Sequence, residues 1–193
     1  MIRIIAGEFK GHKLKSGLDR PGFRPTKDRV KESLFSILGD MQGKEVLDLF
    51  AGSGNLGFEA LSRGAKTVTF IENNYRQTNI LRENAEKLKV LEKINIIPRN
   101  TLIYLKKSKD VNFDLVLADP PYQFKSMALL AELLINRFNT SQIVFETSPE
   151  FIFPNRQNFF EFDEKIYGNT KLTIFKVKNE KSSQFGAFTV FLG

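Results

Sequence analysis

The period of apolar and polar positions changes twice along this chain, and the changes divide it into three parts. Apolar stretches at 2–6 and 9–14 flank Gly7-Glu8, a pattern that predicts a short β-hairpin. Residues 15–25 carry Gly17, Pro21, Gly22 and Pro25 and read as a loop. Val30, Leu34, Phe35, Ile37 and Leu38 then recur at helical spacing. Thr26 stands where it can cap that helix. Asp28 falls in the first turn, where the helix dipole favours an acid, and Gly39 ends it.

After Gly43 short apolar runs alternate with helical stretches. The runs predict strands over Glu45–Phe50, Thr67–Glu72, Ile94–Pro98, Phe113–Asp119 and Ile143–Thr147. Helices are expected near 55–63, 74–89, 100–107 and 126–138; in the second of these Leu81, Ala85 and Leu88 share a face. Strand–helix alternation implies a mainly parallel sheet covered on both sides. The pattern then changes again. Phe159–Tyr167 and Lys171–Val177, joined by Gly168-Asn169-Thr170, read as an antiparallel hairpin. Five parallel strands followed by a hairpin give an α/β, Rossmann-like fold with a mainly parallel seven-stranded sheet. The N-terminal β-hairpin is an extension to it. The expected division is an extension over 1–25, a main domain over 26–178 and a tail over 179–193. The tail opens polar and ends apolar, and reads equally as an extra strand or a docking segment.

Composition narrows the function classes. A chain of 193 residues with 41% hydrophobic content can bury one packed core. It shows no membrane-length apolar run and no signal-peptide pattern, so a soluble, cytoplasmic protein is expected. There is no cysteine, which excludes disulfides, thiolate zinc sites and a cysteine nucleophile. The single histidine, His12, excludes a histidine-cluster metal site, and no metal is expected. The net charge of +7 is unevenly spread. Residues 1–31 hold nine Lys or Arg against three acids, and the remainder is nearly balanced. Such one-sided charge suits a phosphate backbone.

Two motifs carry chemistry. Gly52-Ser53-Gly54-Asn55-Leu56-Gly57 matches G-x-G-x-x-G between a strand and a helix, and Glu72 ends the next strand 20 residues after Gly52. Glycines let the backbone approach a ligand, and an acid at the second strand end can take both ribose hydroxyls. The pattern alone equally fits a NAD-dependent oxidoreductase. Asp48, just before the loop, shifts the balance. A carboxylate there suits a cationic ligand such as S-adenosylmethionine and sits badly against a pyrophosphate. Asn100 can bond an adenine edge or cap a helix, and the two roles are compatible. The candidate cofactor residues are Asp48, Phe50, Ala51, Gly52, Ser53, Gly54, Glu72, Asn73, Asn100 and Asp119.

The second motif, Asp119-Pro120-Pro121-Tyr122, closes the apolar run Phe113–Ala118. Exocyclic amino groups on bases are poor nucleophiles, because their lone pairs are delocalised into the ring. Acceptors beside the amino hydrogens localise that lone pair. The Asp119 carboxylate and the Pro120 carbonyl can each accept one hydrogen. The prolines hold the turn stiff, and Tyr122 can stack on an extruded base, worth about 1–3 kcal/mol. Asp119, Pro120, Pro121 and Tyr122 are thus the candidate catalytic residues.

On these segments, with Ile2-Arg3-Ile4-Ile5-Ala6-Gly7, Lys10-Gly11, Arg24-Pro25-Thr26, Asp28-Arg29-Val30-Lys31-Glu32-Ser33-Leu34-Phe35 and Tyr167-Gly168-Asn169-Thr170, the chain resembles a known family. The family is that of bacterial 16S ribosomal RNA guanine-N2 methyltransferases of the RsmD type, which modify guanine 966. The resemblance spans about residues 1–178. It implies an S-adenosylmethionine-dependent enzyme acting on 16S rRNA within the small ribosomal subunit or its assembly intermediate; separately, a monomer is expected. It places the hairpin and the Arg24-Pro25-Thr26 loop near RNA, with Arg3, Lys10, Lys13, Arg24, Thr26 and Arg29 as contacts. Asn55-Leu56 departs from the family's usual pair at that point of the loop. Rival readings are an adenine-N6 or cytosine-N4 DNA amino-methyltransferase, for which the chain lacks room for a large recognition domain, a NAD-dependent oxidoreductase, and a catalytically dead RNA-binding relative.

Overall fold

The computed structural model describes residues 2–17, 28–108, 111–121, 123–153 and 161–176. Its centre is a sheet of seven strands: β3 (Glu45–Leu49), β4 (Thr67–Glu72), β5 (Ile94–Pro98), β6 (Val111–Ala118), β7 (Phe138–Thr147), β8 (Glu161–Tyr167) and β9 (Thr170–Lys176). Their order across the sheet is β5-β4-β3-β6-β7-β9-β8. The first five of these are parallel, and β9 and β8 join antiparallel at the β7 edge.

The sheet is buried on both faces because each central strand is apolar at successive positions. Val46, Val68, Phe70, Leu115, Leu117 and Val144 enter one core with α1 (Asp28–Leu38), α2 (Asn55–Ser62) and α3 (Tyr75–Leu88). Leu47, Leu49, Ile71, Val116, Ala118 and Phe145 enter the other with α4 (Thr101–Lys107) and α5 (Met127–Arg137). Continuous apolar runs of this kind mark parallel strands covered twice. Among the described residues no helix is long and apolar enough to cross a membrane.

The strands and helices predicted after Gly43 form among the described residues, with two notable shifts of boundary; Phe159, Phe160 and Val177 of the predicted hairpin lie outside them. β6 starts at Val111 rather than Phe113, and β7 at Phe138 rather than Ile143. Val111, Asn112 and Phe113 pair with Phe138, Asn139 and Thr140. Ladder hydrogen bonds need no apolar side chain, so a polar strand start leaves no mark on hydrophobic patterning. The C-terminal hairpin turns through Gly168-Asn169 and pairs Tyr167 with Thr170.

The N-terminal hairpin is reduced to β1 (Ile2–Arg3) and β2 (Lys13–Leu14), two residues each. The segment between them spends its backbone groups elsewhere. The Ile5 and Ala6 amides donate to the Glu59 carboxylate at 2.9 and 3.1 Å, and the Phe9 amide to Ser62 Oγ at 2.9 Å. The hairpin is thereby fastened to α2. The expected Thr26 cap, the boundary at 25/26 and the tail over 179–193 lie outside the described residues.

Candidate active site at the strand ends

The strand order reverses its direction of growth at β3, with β4 and β5 to one side and β6 and β7 to the other. In open α/β sheets the crevice beyond the carboxyl ends at such a point is where ligands bind. Four acids stand at those ends: Asp48 on β3, Glu72 on β4, Asp119 just after β6, and Glu146 on β7.

The loop after β3 has an unusual local geometry. Phe50 holds a positive φ of 61°, rare for a residue with a side chain. Gly54 follows at φ 84° as the residue before α2, a conformation that glycine adopts without penalty. Gly57 is needed for a different reason. A Cβ there would lie 2.2 Å from the Phe70 ring and 2.9 Å from Asp48 Oδ2. Its absence lets α2 pack tightly on β3 and β4, and the Gly57 amide donates to Asp48 Oδ2 at 2.9 Å.

Asp48 is buried, at 3% exposure, behind this loop. Burial pushes its carboxyl up to about 7, the Gly57 hydrogen bond pulls it back, and the negative charge of Glu72 adds to the rise. Asp119 stands on the open surface of the crevice but is crowded by protein on its inner side. That crowding, followed by the like charges of Glu146 and Asp48, raises its pKa well above the ordinary carboxylate range. Water on the open side tempers the effect without reversing it. The strand ends thus bring carboxylates close enough to feel one another's charge, a surface that favours a positively charged ligand.

Glu72 is 9% exposed and already shapes the loop. Its Oε2 accepts from the Gly52 amide at 2.8 Å and its Oε1 from the Asn74 amide at 2.7 Å. Each oxygen keeps a lone pair for a hydroxyl. Asn74, not Asn73, caps α3, while Asn73 is exposed beside it. Asn100 caps α4 by accepting from the Leu102 and Ile103 amides. Ala51 and Ser53 are buried in the loop, whose Ser53 carbonyl accepts from Asn84 Nδ2 at 3.0 Å.

Beyond Asp119, Pro120 is buried and Pro121 exposed. The Phe124 amide donates to the Pro121 carbonyl at 2.8 Å, closing a turn. Tyr122 lies outside the described residues. The turn brings the Phe124 ring edge-on to Phe50, 5.0 Å between centroids, and both pack against the core on the α4 and α5 side. Sequence reasoning selected neither Phe124 nor Glu146. The signal for Glu146 was available, since an acid closing an apolar strand is what singled out Glu72 and Asp119. Among the described residues no cluster of His, Cys, Asp or Glu can hold a metal ion.

The basic residues separate into groups. Lys10, Lys13 and Arg29 are exposed. Arg3 pairs with Asp28 at 2.6 Å and Lys15 with Glu83 at 2.8 Å. Lys31, counted above in the basic segment, is 1% exposed and faces inward. Its ammonium donates to the Arg3 carbonyl at 2.6 Å and to Asn55 Oδ1 at 2.9 Å, and lies 3.4 Å from Glu59 Oε2. Burial lowers its pKa and Glu59 opposes that. Arg24 and Thr26 lie outside the described residues. A cavity of about 310 Å³ opens beside the hairpin, lined by Arg3, Lys10 and Arg63 together with Asp28 and Glu32.

Comparison with known proteins shows the family and the fold. The model of the family described as Conserved hypothetical protein 95 matches residues 2–176. Ribosomal RNA small subunit methyltransferase D of Haemophilus influenzae is 45% identical over 138 residues, covering 68% of this chain and 71% of that protein. The solved structure of yhhF from Escherichia coli superposes with a TM-score of 0.80 at 32% identity, over 93% of this chain and 99% of the other. A Thermus thermophilus 16S rRNA N2 G1207 methyltransferase (RsmC), solved with AdoMet and guanosine, has the same fold, with a TM-score of 0.67 at 18% identity over 83% of this chain and 45% of that one.

Proposed function

This chain belongs to the Conserved hypothetical protein 95 family and is an RsmD-type methyltransferase; from that premise we propose that it transfers a methyl group from S-adenosylmethionine to the exocyclic 2-amino group of a guanine in 16S rRNA. The observation that carries this reading is the placement of Asp48 and Asp119. One is desolvated directly behind the glycine loop, and the other is exposed on the neighbouring strand end.

The residues present fit the cosubstrate. Asp48 and Glu72 supply most of the negative field that an ammonium and a sulfonium require, with Asp119 at its outer edge. A dinucleotide would bring its pyrophosphate against Asp48, which disfavours the oxidoreductase alternative. When bound, S-adenosylmethionine supplies a methyl group on a sulfonium leaving group. Gly52 to Gly54 admit the ligand to the backbone, Glu72 takes ribose hydroxyls on its remaining lone pairs, and Asn100 borders the adenine. Phe50 and Phe124 wall the crevice.

On the RNA side Asp119 and the Pro120 carbonyl accept the amino hydrogens and sharpen the nitrogen lone pair. Tyr122 stacks on the extruded guanine. Alignment of the nucleophile contributes up to about 7–11 kcal/mol in favourable cases. The amino group becomes acidic only once methylated. Asp119, with its raised pKa, is matched to receive that proton late. Lys10, Lys13, Arg24 and Arg29 hold the phosphate backbone, with Arg3 and Thr26 beside them. The RNA lies within a small subunit or its assembly intermediate, where ribosomal context supplies the selection of guanine 966.

The deciding experiment is transfer of labelled methyl from S-adenosylmethionine to small subunits lacking native modifications. Naked 16S rRNA, DNA and the Asp119→Ala protein run alongside. N2-methylguanine in the rRNA, absent with the variant, is the expected result. Label in DNA as N6-methyladenine or N4-methylcytosine would replace this reading with the DNA amino-methyltransferase alternative.

A further inference from the structure

We propose that Glu146 reads the N1–H of the target guanine and so selects guanine over other amino-bearing bases. The inference rests on the methyltransferase reading above and names a specificity residue within that site.

The argument begins with register. β6 and β7 are parallel, and their last pair is Ala118 with Phe145. One residue further, Asp119 stands beside Glu146, on strands separated by about 4.8 Å. Face follows from alternation. Leu117 and Val144 both enter the core on the α2 side, and so does Val46 of β3. Two residues beyond each, Asp119, Glu146 and Asp48 leave the sheet toward that same side. The charges of Glu146 and Asp48 are both felt at the Asp119 carboxyl, as that placement requires. Glu146 is half-buried, so it is neither sealed in the core nor free in bulk water.

The chemistry follows from the edges of the bases. Beside its 2-amino group guanine presents N1–H, a second donor. Beside its 6-amino group adenine presents N1 as an acceptor, and cytosine presents N3 as an acceptor beside its 4-amino group. If Asp119 engages the amino hydrogens, the next acceptor along the site meets the next atom of the ring. Glu146 is that acceptor. It bonds the N1–H of guanine and repels the lone pair that adenine or cytosine would place there. Attraction for one base and an unpaired charge against the others is how a site discriminates strongly. Asp119 activates the nucleophile, and Glu146 decides which base may offer it.

The test uses 16S rRNA assembled into small subunits with either guanine or 2-aminopurine at the position the protein methylates. 2-Aminopurine keeps the 2-amino group and replaces N1–H with an acceptor. The unaltered protein should prefer guanine by at least about 100-fold in kcat/KM. In Glu146→Gln the amide donates as well as accepts, so the preference should shrink at least about tenfold, with the Kd for S-adenosylmethionine unchanged. Glu146→Asp, whose carboxylate is withdrawn by one methylene, should lose turnover on guanine and little on 2-aminopurine. It serves as an independent variant should the first fail to fold. Equal use of both bases by the unaltered protein would overturn the proposal. So would variants that lose activity equally on both, since that marks a structural role. Absence of N2-methylguanine with the unaltered protein sinks the functional reading itself. Methylation with an unchanged base preference in the variants sinks only the role of Glu146.

Discussion

Asp48 carries a cost that the empty protein bears. A carboxyl pushed up to about 7 from its ordinary value of 3.8 binds its proton more tightly folded than unfolded. Stability therefore falls as pH rises through that window. The penalty is absent below the lower value and complete above the upper one. Asp48→Asn, which keeps an acceptor for the Gly57 amide, should raise Tm in the absence of ligand, more at pH 8 than at pH 5. It should also weaken S-adenosylmethionine binding. A Tm gain independent of pH would show that the penalty is not electrostatic. The same linkage predicts that the native protein binds S-adenosylmethionine more tightly at pH 8 than at pH 6, because a cation favours the ionised carboxylates; calorimetry at both pH values checks the sign. Asp119→Ala should separate the steps differently, with kcat falling about 100-fold or more while the Kd for S-adenosylmethionine changes little. Equal losses in both would place Asp119 among the cofactor contacts instead. At this scale the sequence was informative wherever an acid closed an apolar run, as Glu72 and Asp119 do. It was silent on Phe124, because its contact with the Phe50 ring depends on how the turn after Pro121 folds.

Between elements, α2 is the joint of the molecule. Its first residue follows the glycine loop, and its body holds the N-terminal hairpin through Glu59 and Ser62. Ser62 Oγ also donates to the Ala6 carbonyl at 2.5 Å. Lys31 of α1 ties the hairpin backbone at Arg3 to Asn55 and Glu59 of the same helix. A buried pair of this kind stabilises little relative to apolar replacements, and without Lys31 the Glu59 carboxylate still keeps Arg63 Nε at 2.8 Å and the two hairpin amides. Lys31→Met should accordingly destabilise the fold by about 1–3 kcal/mol, chiefly by leaving the Arg3 carbonyl and Asn55 Oδ1 without their donor. Replacing Glu59 by Gln in that background should cost less than the single effects summed. Additive denaturation midpoints would mean the two charges are not coupled. Helical and strand periods made these elements legible, since each buries a regular apolar face. Their docking was not legible. Glu59 reads as an ordinary surface acid until the hairpin amides of Ile5 and Ala6 are brought to it, and Lys31 reads as one more charge in a basic segment. The departure at Asn55 acquires a physical meaning here, as an acceptor for that ammonium.

Across the whole molecule, the one-sided charge of the first 31 residues is smaller at the surface than the sequence suggests. Lys31 is buried against Glu59, and Lys15 is paired with Glu83, two acids from outside that segment. Lys10, Lys13 and Arg29 remain exposed on the hairpin and on α1. Counterion release makes this difference measurable. Each phosphate neutralised contributes about −0.9 to the slope of log K against log salt on duplex RNA, taking the duplex DNA value as a guide, and about −0.7 on single strands. Lys10→Ala with Lys13→Ala should flatten the slope for 16S rRNA by about 1.4 to 1.8 together. Lys15→Ala should leave it nearly unchanged, because Lys15 is engaged by Glu83 and neutralises no phosphate. An equal change from both would show that RNA responds to the net charge of the N-terminal region and not to its folded arrangement. The contrast matters because α2 joins the hairpin to the loop that ends β3. On the proposed reading, phosphate contacts at Lys10 and Lys13 would fix the distance from the RNA backbone to Asp119. Loss of those contacts should raise KM for the subunit and spare kcat for the fraction that binds correctly, whereas Asp119→Ala does the reverse.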